Sequence, residues 1–160
     1  MTDIVDKNIR SRMMSGIKSK NTKPELLIRK ALFSRGFRYR LHDSRLPGKP
    51  DLVFLKYRAV ILINGCFWHR HECHLFKWPS SRPDFWRKKL EGNYSRDQRN
   101  LQLLHSSDWR TLVIWECAIK GKQRLLMDVL ADQITHWLTD YCPSTDIPEP
   151  RSAINGTFAG

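Results

Sequence analysis

The sequence has no long hydrophobic run. Its longest apolar stretch is Ala59 to Ile63, far short of the roughly 20 residues a membrane helix needs. The segment Met1 to Lys7 lacks the charged-then-apolar order of a secretory leader. Export and membrane insertion are not expected, and the cytoplasm is the expected compartment. Acidic residues are scarce: 16 Asp and Glu stand against 28 Lys and Arg, for a net charge of +12 and a pI near 9.9. Such an excess favours a polyanionic partner, with nucleic acid leading and a ribosomal or membrane-surface protein as the other readings of charge alone. Cysteine is sparse too. Four cysteines (Cys66, Cys73, Cys117 and Cys142) without a leader argue against a disulfide scaffold and make metal ligation the better reason for any clustering.

What is present suits one domain, since 160 residues with 41% hydrophobic content can bury a single core. Residues 1–20 are basic and polar and read as an arm. Residues 21–140 hold the domain, and 141–160, with three prolines, read as a poorly ordered tail. Thr22-Lys23-Pro24-Glu25 has capping-box spacing, with Glu25 placed to reach back to the Thr22 backbone, and Leu27, Ile28, Ala31 and Leu32 follow on one helical face. Phe37, Tyr39 and Leu41 alternate with arginines as a half-buried strand does. Apolar runs over 51–55 and 59–63 flank a short polar turn and predict a hairpin. Pro83-Asp84 suits a helix start, with Gly92 a break between two helical pieces ending near Ser106. Trp109 to Trp115 reads as a strand, and Leu125, Leu126, Val129, Leu130, Ile134, Trp137 and Leu138 share one face of a terminal helix. This order predicts an α/β fold, a sheet covered by helices.

Four groups of residues carry chemistry. Asp51, after Pro50 at the hairpin mouth, can hold a hard cation such as magnesium, which activates water and neutralises charge on a phosphate; it also suits an ordinary turn. Glu25 can approach the same place, although the capping box accounts for its position equally well. Residues 65–74 pack two cysteines and three histidines together. Cys66, His71 and Cys73 with the remote Cys117 form the closed sulfur-and-nitrogen set of a tetrahedral structural zinc, and His69 or His74 can stand in for His71. If the zinc takes His71, His69 is available as a general base or acid, or as a supporting histidine. On the helix from Phe85, the residues Trp86, Lys89, Asn93, Arg96 and Asp97 share about a third of the circumference. Its cations can meet phosphates and its amide a base edge, or the face is merely solvated. Phe67, Trp68 and Trp86 can wedge between base pairs, most easily where pairing is already imperfect, or can fill the core.

Six motifs then occur in order: Arg12-Met13-Met14-Ser15, Asn21-Thr22-Lys23-Pro24-Glu25, Leu46-Pro47-Gly48-Lys49-Pro50-Asp51, Gly65-Cys66-Phe67-Trp68-His69, Phe85-Trp86 with Lys89, Asn93, Arg96 and Asp97, and Val113-Ile114-Trp115-Glu116-Cys117. Together they resemble the very short patch repair endonucleases from Asp6 to Leu138. The resemblance implies a restriction-endonuclease-like mixed sheet flanked by helices, a PD-(D/E)XK variant with a structural zinc loop. It implies that Asp51 binds catalytic magnesium, with the Ile63 backbone carbonyl as a second contact, and that His69 and Glu25 assist water attack. Zinc would be held by Cys66, His71, Cys73 and Cys117. DNA would be wedged by Phe67, Trp68 and Trp86, met by Lys89, Asn93 and Arg96, and approached in the minor groove by Met14 of the arm. The implied activity is a nick 5′ of the thymine in a T:G mismatch left by deamination of 5-methylcytosine, in cytoplasm at the nucleoid. A repair DNA polymerase follows, and a MutL-type mismatch-repair protein is an implied partner. One departure is Asn64, where the family carries a histidine; an amide does not exchange a proton near pH 7. A nick needs one active site, so a monomer is expected. The competing readings are a restriction-like nuclease on fully paired duplex, a zinc-stapled DNA-binding module without chemistry, and a basic RNA-binding protein.

Overall fold

The first helix starts where Thr22 caps it, its Oγ1 accepting the Glu25 N–H at 3.4 Å, with Pro24 in the first turn where a missing N–H costs nothing. In the computed structural model, which describes residues 21–150, this helix (α1) spans Lys23–Ser34 and buries Glu25, Ile28 and Leu32. Leu27, expected on that face, is 40% exposed. Of the strand expected over 37–41, Arg40–Leu41 ladders as β1, while Phe37 and Tyr39 set their rings 6.2 and 5.7 Å from Phe54 in the core.

The hairpin forms as expected from β2 (Leu52–Phe54) and β3 (Ala59–Asn64), turning through a short 3-10 turn and Arg58 in the left-handed region. β4 (Arg110–Trp115) pairs parallel with β3, and parallel neighbours require a long crossover. That crossover is an irregular loop followed by α2 (Pro83–Ser106). The break expected at Gly92 is absent and α2 is continuous. The glycine is exposed and a Cβ there would meet nothing within 4 Å; such a residue costs about 1 kcal/mol against alanine and does not stop a long helix.

The terminal helix (α3) begins later than expected, at Met127–Thr139, leaving Leu126 76% exposed ahead of it. Beyond it, Thr145–Ile147 forms β5, parallel to β4 with Ile147 opposite Ile114. This strand falls within the segment 141–160 expected as a poorly ordered tail, of which residues 151–160 lie outside the described residues. The five strands run in the order β1-β2-β3-β4-β5, antiparallel on the β1–β3 side and parallel on the β3–β5 side. Alternation along the strands splits the core between the two faces. Leu52, Phe54, Ile61, Leu112 and Ile114 meet α1 and α3, while Val53 and Val60 meet Leu104 and Trp109 at the end of α2. Among the described residues no helix is long and apolar enough to cross a membrane.

Arg110 ties these layers together. Its guanidinium donates to the carbonyls of Trp137 and Cys142 at 2.9 Å each, Tyr57 at 3.1 Å and Leu138 at 3.2 Å. Trp137 and Leu138 lie in the last turn of α3, where carbonyls lack full intrahelical pairing. Arg110→Ala is expected to cost about 3 kcal/mol, because buried acceptors lose a charged donor. In a chain of this size that lowers the melting temperature by about 6–12 °C in calorimetry; an unchanged melt would mean that water takes over the guanidinium's place.

Candidate active site and metal centre

Residues 65–82 make turns but no helix or strand, and Cys66 is their one fully buried side chain. Little apolar packing holds this loop. Instead, Sγ of Cys66 and Sγ of Cys117 lie 3.5 and 3.7 Å from Nδ1 of His71, and with Cys73 the four ligand atoms all lie within 4.8 Å of one another. Tetrahedral zinc, with bonds of about 2.3 Å to sulfur and about 2.0 Å to nitrogen, separates such atoms by about 3.6 Å. The set therefore fits zinc. Burial pushes the Cys66 thiol well up, and burial with the neighbouring Cys73 raises Cys117 to about 11; a cation that takes the thiolates removes this penalty. Backbone N–H groups of Cys117 and Leu75 already point at the sulfurs of Cys66 and Cys73, at 3.3 and 3.4 Å, as outer partners of metal thiolates do.

The geometry also chooses among the three histidines. His71 is set by Trp115, its ring stacked at 4.1 Å and 9°, and Trp115 Nε1 donates to Asp146 of β5 at 2.8 Å. His74 packs against Gly121, where a Cβ would lie 2.9 Å from Nε2. His69 faces a different place. Cys142 lies outside the ligand set, its thiol 3.9 Å from the His136 carbonyl.

That place is a cleft of about 610 Å³ lined by His42, Asp51, Ile63, Asn64, His69 and Asp97 among others. Asp51 enters it just before β2, and its Oδ2 accepts the Ile63 N–H from β3 at 2.7 Å. Burial pushes the Asp51 carboxyl up to about 6, and the charge of Glu25 adds to this, against the pull of the Ile63 N–H and of His42. A carboxylate so desolvated gains from a hard cation beside it, so Asp51 fits a divalent metal. Across the cleft, His69 Nδ1 lies 2.5 Å from Asp97 Oδ2 of α2. An ionised carboxylate only accepts, which places the hydrogen on Nδ1 and leaves Nε2 as the working nitrogen.

Glu25 is not a wall of the cleft. Only 1% of it is exposed, and its oxygens accept from the Asn21 N–H at 3.2 Å, Arg29 at 3.1 Å and His42 Nε2 at 2.8 Å. The reach back expected toward Thr22 goes one residue further, to Asn21. Burial opposes ionisation of Glu25, but the His42 and Arg29 hydrogen bonds outweigh it and hold the carboxyl below its usual range.

Sequence comparison decides what such a site belongs to. The family model for the DNA mismatch endonuclease Vsr matches residues 2–75. The DNA mismatch endonuclease Vsr of Escherichia coli K12 is 40% identical over 138 residues, 86% of this chain and 88% of its own length. The type II nicking enzyme V.NmeAIP of Neisseria meningitidis is 48% identical over 122 residues, covering 76% and 87%. V.XorIIP of Xanthomonas oryzae pv. oryzae, another type II nicking enzyme, is 42% identical over 134 residues, covering 80% and 98%. The chain belongs to the Vsr family. It is a strand-nicking DNA endonuclease with a restriction-endonuclease-like fold, a mixed sheet flanked by helices.

As a Vsr-family nuclease the chain needs a DNA-facing surface, and the structure redistributes the residues expected there. The rings of Phe67, Trp68 and Trp86 form one half-buried cluster, with centroids 5.1 Å apart for Phe67–Trp68, 5.4 Å for Phe67–Trp86 and 6.0 Å for Trp68–Trp86. Lys89 and Arg96 are exposed on α2. Asn93 is engaged within the protein: its amide donates to the Trp68 carbonyl at 3.0 Å and its oxygen accepts from Arg96 at 2.9 Å. It anchors the cysteine- and histidine-bearing loop to α2. Met14 and the arm lie outside the described residues. His42 was missed by sequence reading. Its signal was the hairpin register, since β1 pairs Leu41 with Leu52 and so carries His42 to Asp51.

Proposed function

We propose that this nuclease nicks the thymine strand of a T:G mismatch, 5′ of the thymine, and so opens very short patch repair of deaminated 5-methylcytosine. The observation that carries the reading is the adjacency of Phe67, Trp68 and His69 in one loop held by the zinc ligand set. A loop that inserts rings into the stack thereby moves a cleft residue with it. Unstacking costs about a few kcal/mol per step and least at an imperfect pair, so insertion favours mismatched duplex and brings the adjacent phosphate to the cleft. Lys89 and Arg96 meet phosphates, and Met14 enters the minor groove.

Magnesium held by Asp51, with the Ile63 carbonyl as a further contact, would supply water activation and charge neutralisation at the phosphate. The protein's own groups do the rest. The Ile63 N–H keeps the Asp51 carboxylate aimed at the cleft. Asp97 orients His69 so that Nε2 takes a proton from the attacking water. The water oxygen bonds to phosphorus as the bond to the 3′ oxygen breaks, and the departing 3′ oxygen takes up a proton from solvent, leaving a 3′-hydroxyl and a 5′-phosphate. Cys66, His71, Cys73 and Cys117 would hold a zinc ion that fixes the loop to the sheet. A 3′-hydroxyl suits a repair polymerase, and a MutL-type protein and a nucleoid setting in the cytoplasm accompany the reading. The chain acts as a monomer.

The test is cleavage of an end-labelled duplex carrying one T:G pair, beside its fully paired twin, with magnesium and with chelator. A magnesium-dependent nick 5′ of the thymine, at least about 10²-fold faster than in the twin, is expected; that ratio corresponds to about 2.7 kcal/mol. Equal cutting of the twin would favour a restriction-like nuclease, and binding without cleavage a DNA-binding module.

A further inference from the structure

Glu25 poses a problem for any nuclease reading. It is almost fully buried and ringed by donors that hold its carboxyl below the usual range, and a charge is kept in such a place only at a cost of several kcal/mol unless its partners are complete. It cannot touch DNA, because 2% of its side chain is exposed. Its carboxylate lies within 4.8 Å of the Asp51 carboxylate and the His42 ring nitrogen, and of its hydrogen-bond donors it is His42 that lines the cleft.

His42 is built into position. It adopts φ +45°, a region uncommon for a non-glycine residue and one that tends to persist where function requires it. Its backbone N–H donates to the Asp51 carbonyl at 3.2 Å. Its ring lines the same cleft as Asp51, Asn64 and His69, with Nε2 3.9 Å from Asp51 Oδ1. The cleft thus holds two imidazoles, each gripped by a carboxylate from a helix on a different face of the sheet: Asp97–His69 from α2 and Glu25–His42 from α1. In-line hydrolysis of a phosphodiester has two oxygens to manage, one entering and one leaving, on opposite sides of the phosphorus.

Building on the nicking reading, we propose that His42 is a second catalytic residue, hydrogen-bonded to the leaving 3′ oxygen while His69 meets the attacking water, and that Glu25 is a positioning residue acting through His42. Asn64, which shares the cleft, is then not required to replace an imidazole.

The experiment uses the zinc-loaded full chain on the duplex that the wild type nicks, measuring single-turnover nicking, DNA affinity by anisotropy and the melting temperature. The variants are His42→Asn, Glu25→Gln and the pair. Asn tolerates the left-handed backbone, which guards the fold; His42→Gln is the second choice if His42→Asn melts early. His42→Asn is expected to slow nicking about 10²-fold or more, the range for a positioned acid–base group, with affinity within about threefold. The double variant is expected to be no slower than His42→Asn, because Glu25 works through the imidazole. Nicking within about threefold of wild type in His42→Asn and His42→Gln, or losses that multiply in the double variant, would overturn the proposal. A wild type that nicks no duplex would instead remove the reading beneath it.

Discussion

Asp51→Asn is expected to abolish nicking, by at least about 10³-fold or about 4 kcal/mol of barrier, and at the same time to stabilise the magnesium-free protein at neutral pH. The two effects have one cause. The folded-state pKa of Asp51, about 6, lies above the ordinary 3.8, so the fold favours the neutral carboxyl. The stability this contributes is complete below about pH 4 and is lost as pH rises through about 6, where the buried group must ionise. Asparagine keeps an oxygen for the Ile63 N–H and never ionises. A gap of about two pH units is worth about 3 kcal/mol, with little loss to solvent screening because the side chain is 17% exposed. The variant should melt about 6–12 °C above wild type near pH 7.5 and level with it near pH 4. Calorimetry in magnesium-free, zinc-retaining buffer reads this directly, and saturating magnesium should narrow the gap by stabilising wild type alone. A variant that melts below wild type at every pH would mean Asp51 is not a desolvated charge, and retained nicking would place the metal elsewhere.

Cys117→Ala is expected to release the zinc, lower the melting temperature by about 10 °C or more and eliminate nicking. Cys117 follows β4 in a single 3-10 turn, Glu116–Ala118, whereas Cys66, His71 and Cys73 all belong to the loop; this ligand therefore joins loop to sheet. With Cys66 its one fully buried side chain, the loop has almost no core to fall back on. His69 and the ring cluster ride on it. Loss of one ligand also leaves buried thiols whose ionisation is already disfavoured. Metal analysis should give one zinc per chain for wild type and for Cys142→Ser, whose sulfur lies outside the set, and none for Cys117→Ala. Full zinc content and an unchanged melt in Cys117→Ala would show that the loop is held by its own packing and that the four side chains are not a ligand set.

How much of this was legible in advance depended on how local each feature is. The start of α1 was readable because a cap is settled within four residues: Thr22, Pro24 and Glu25 act on their own turn. The hairpin was readable because its two apolar runs are neighbours in sequence. Donor chemistry made a candidate metal-ligand set readable as a composition, two cysteines and three histidines in ten residues, while residue types alone left His69 and His74 open beside His71. The family resemblance favoured His71, and the fold places it, with Nδ1 beside the sulfurs of Cys66 and Cys117 and its ring stacked on Trp115 from a strand some forty residues on, which no spacing rule contains.

The sequence by itself determined the cap of α1, the central hairpin, the basic surface and the donor types, because propensity, capping, charge and ligand chemistry are properties of residues and their near neighbours. Tertiary structure alone decided that Thr145–Ile147 is a strand, since three residues show no period and are held by pairing with β4. It alone decided that Asn93 and Asp97 turn inward to hold Trp68 and His69, because a helix stripe does not reveal what packs above it. And it alone brought His42 between Glu25 and Asp51, since the site is made by the ends of strands and a helix that only the sheet's register sets side by side.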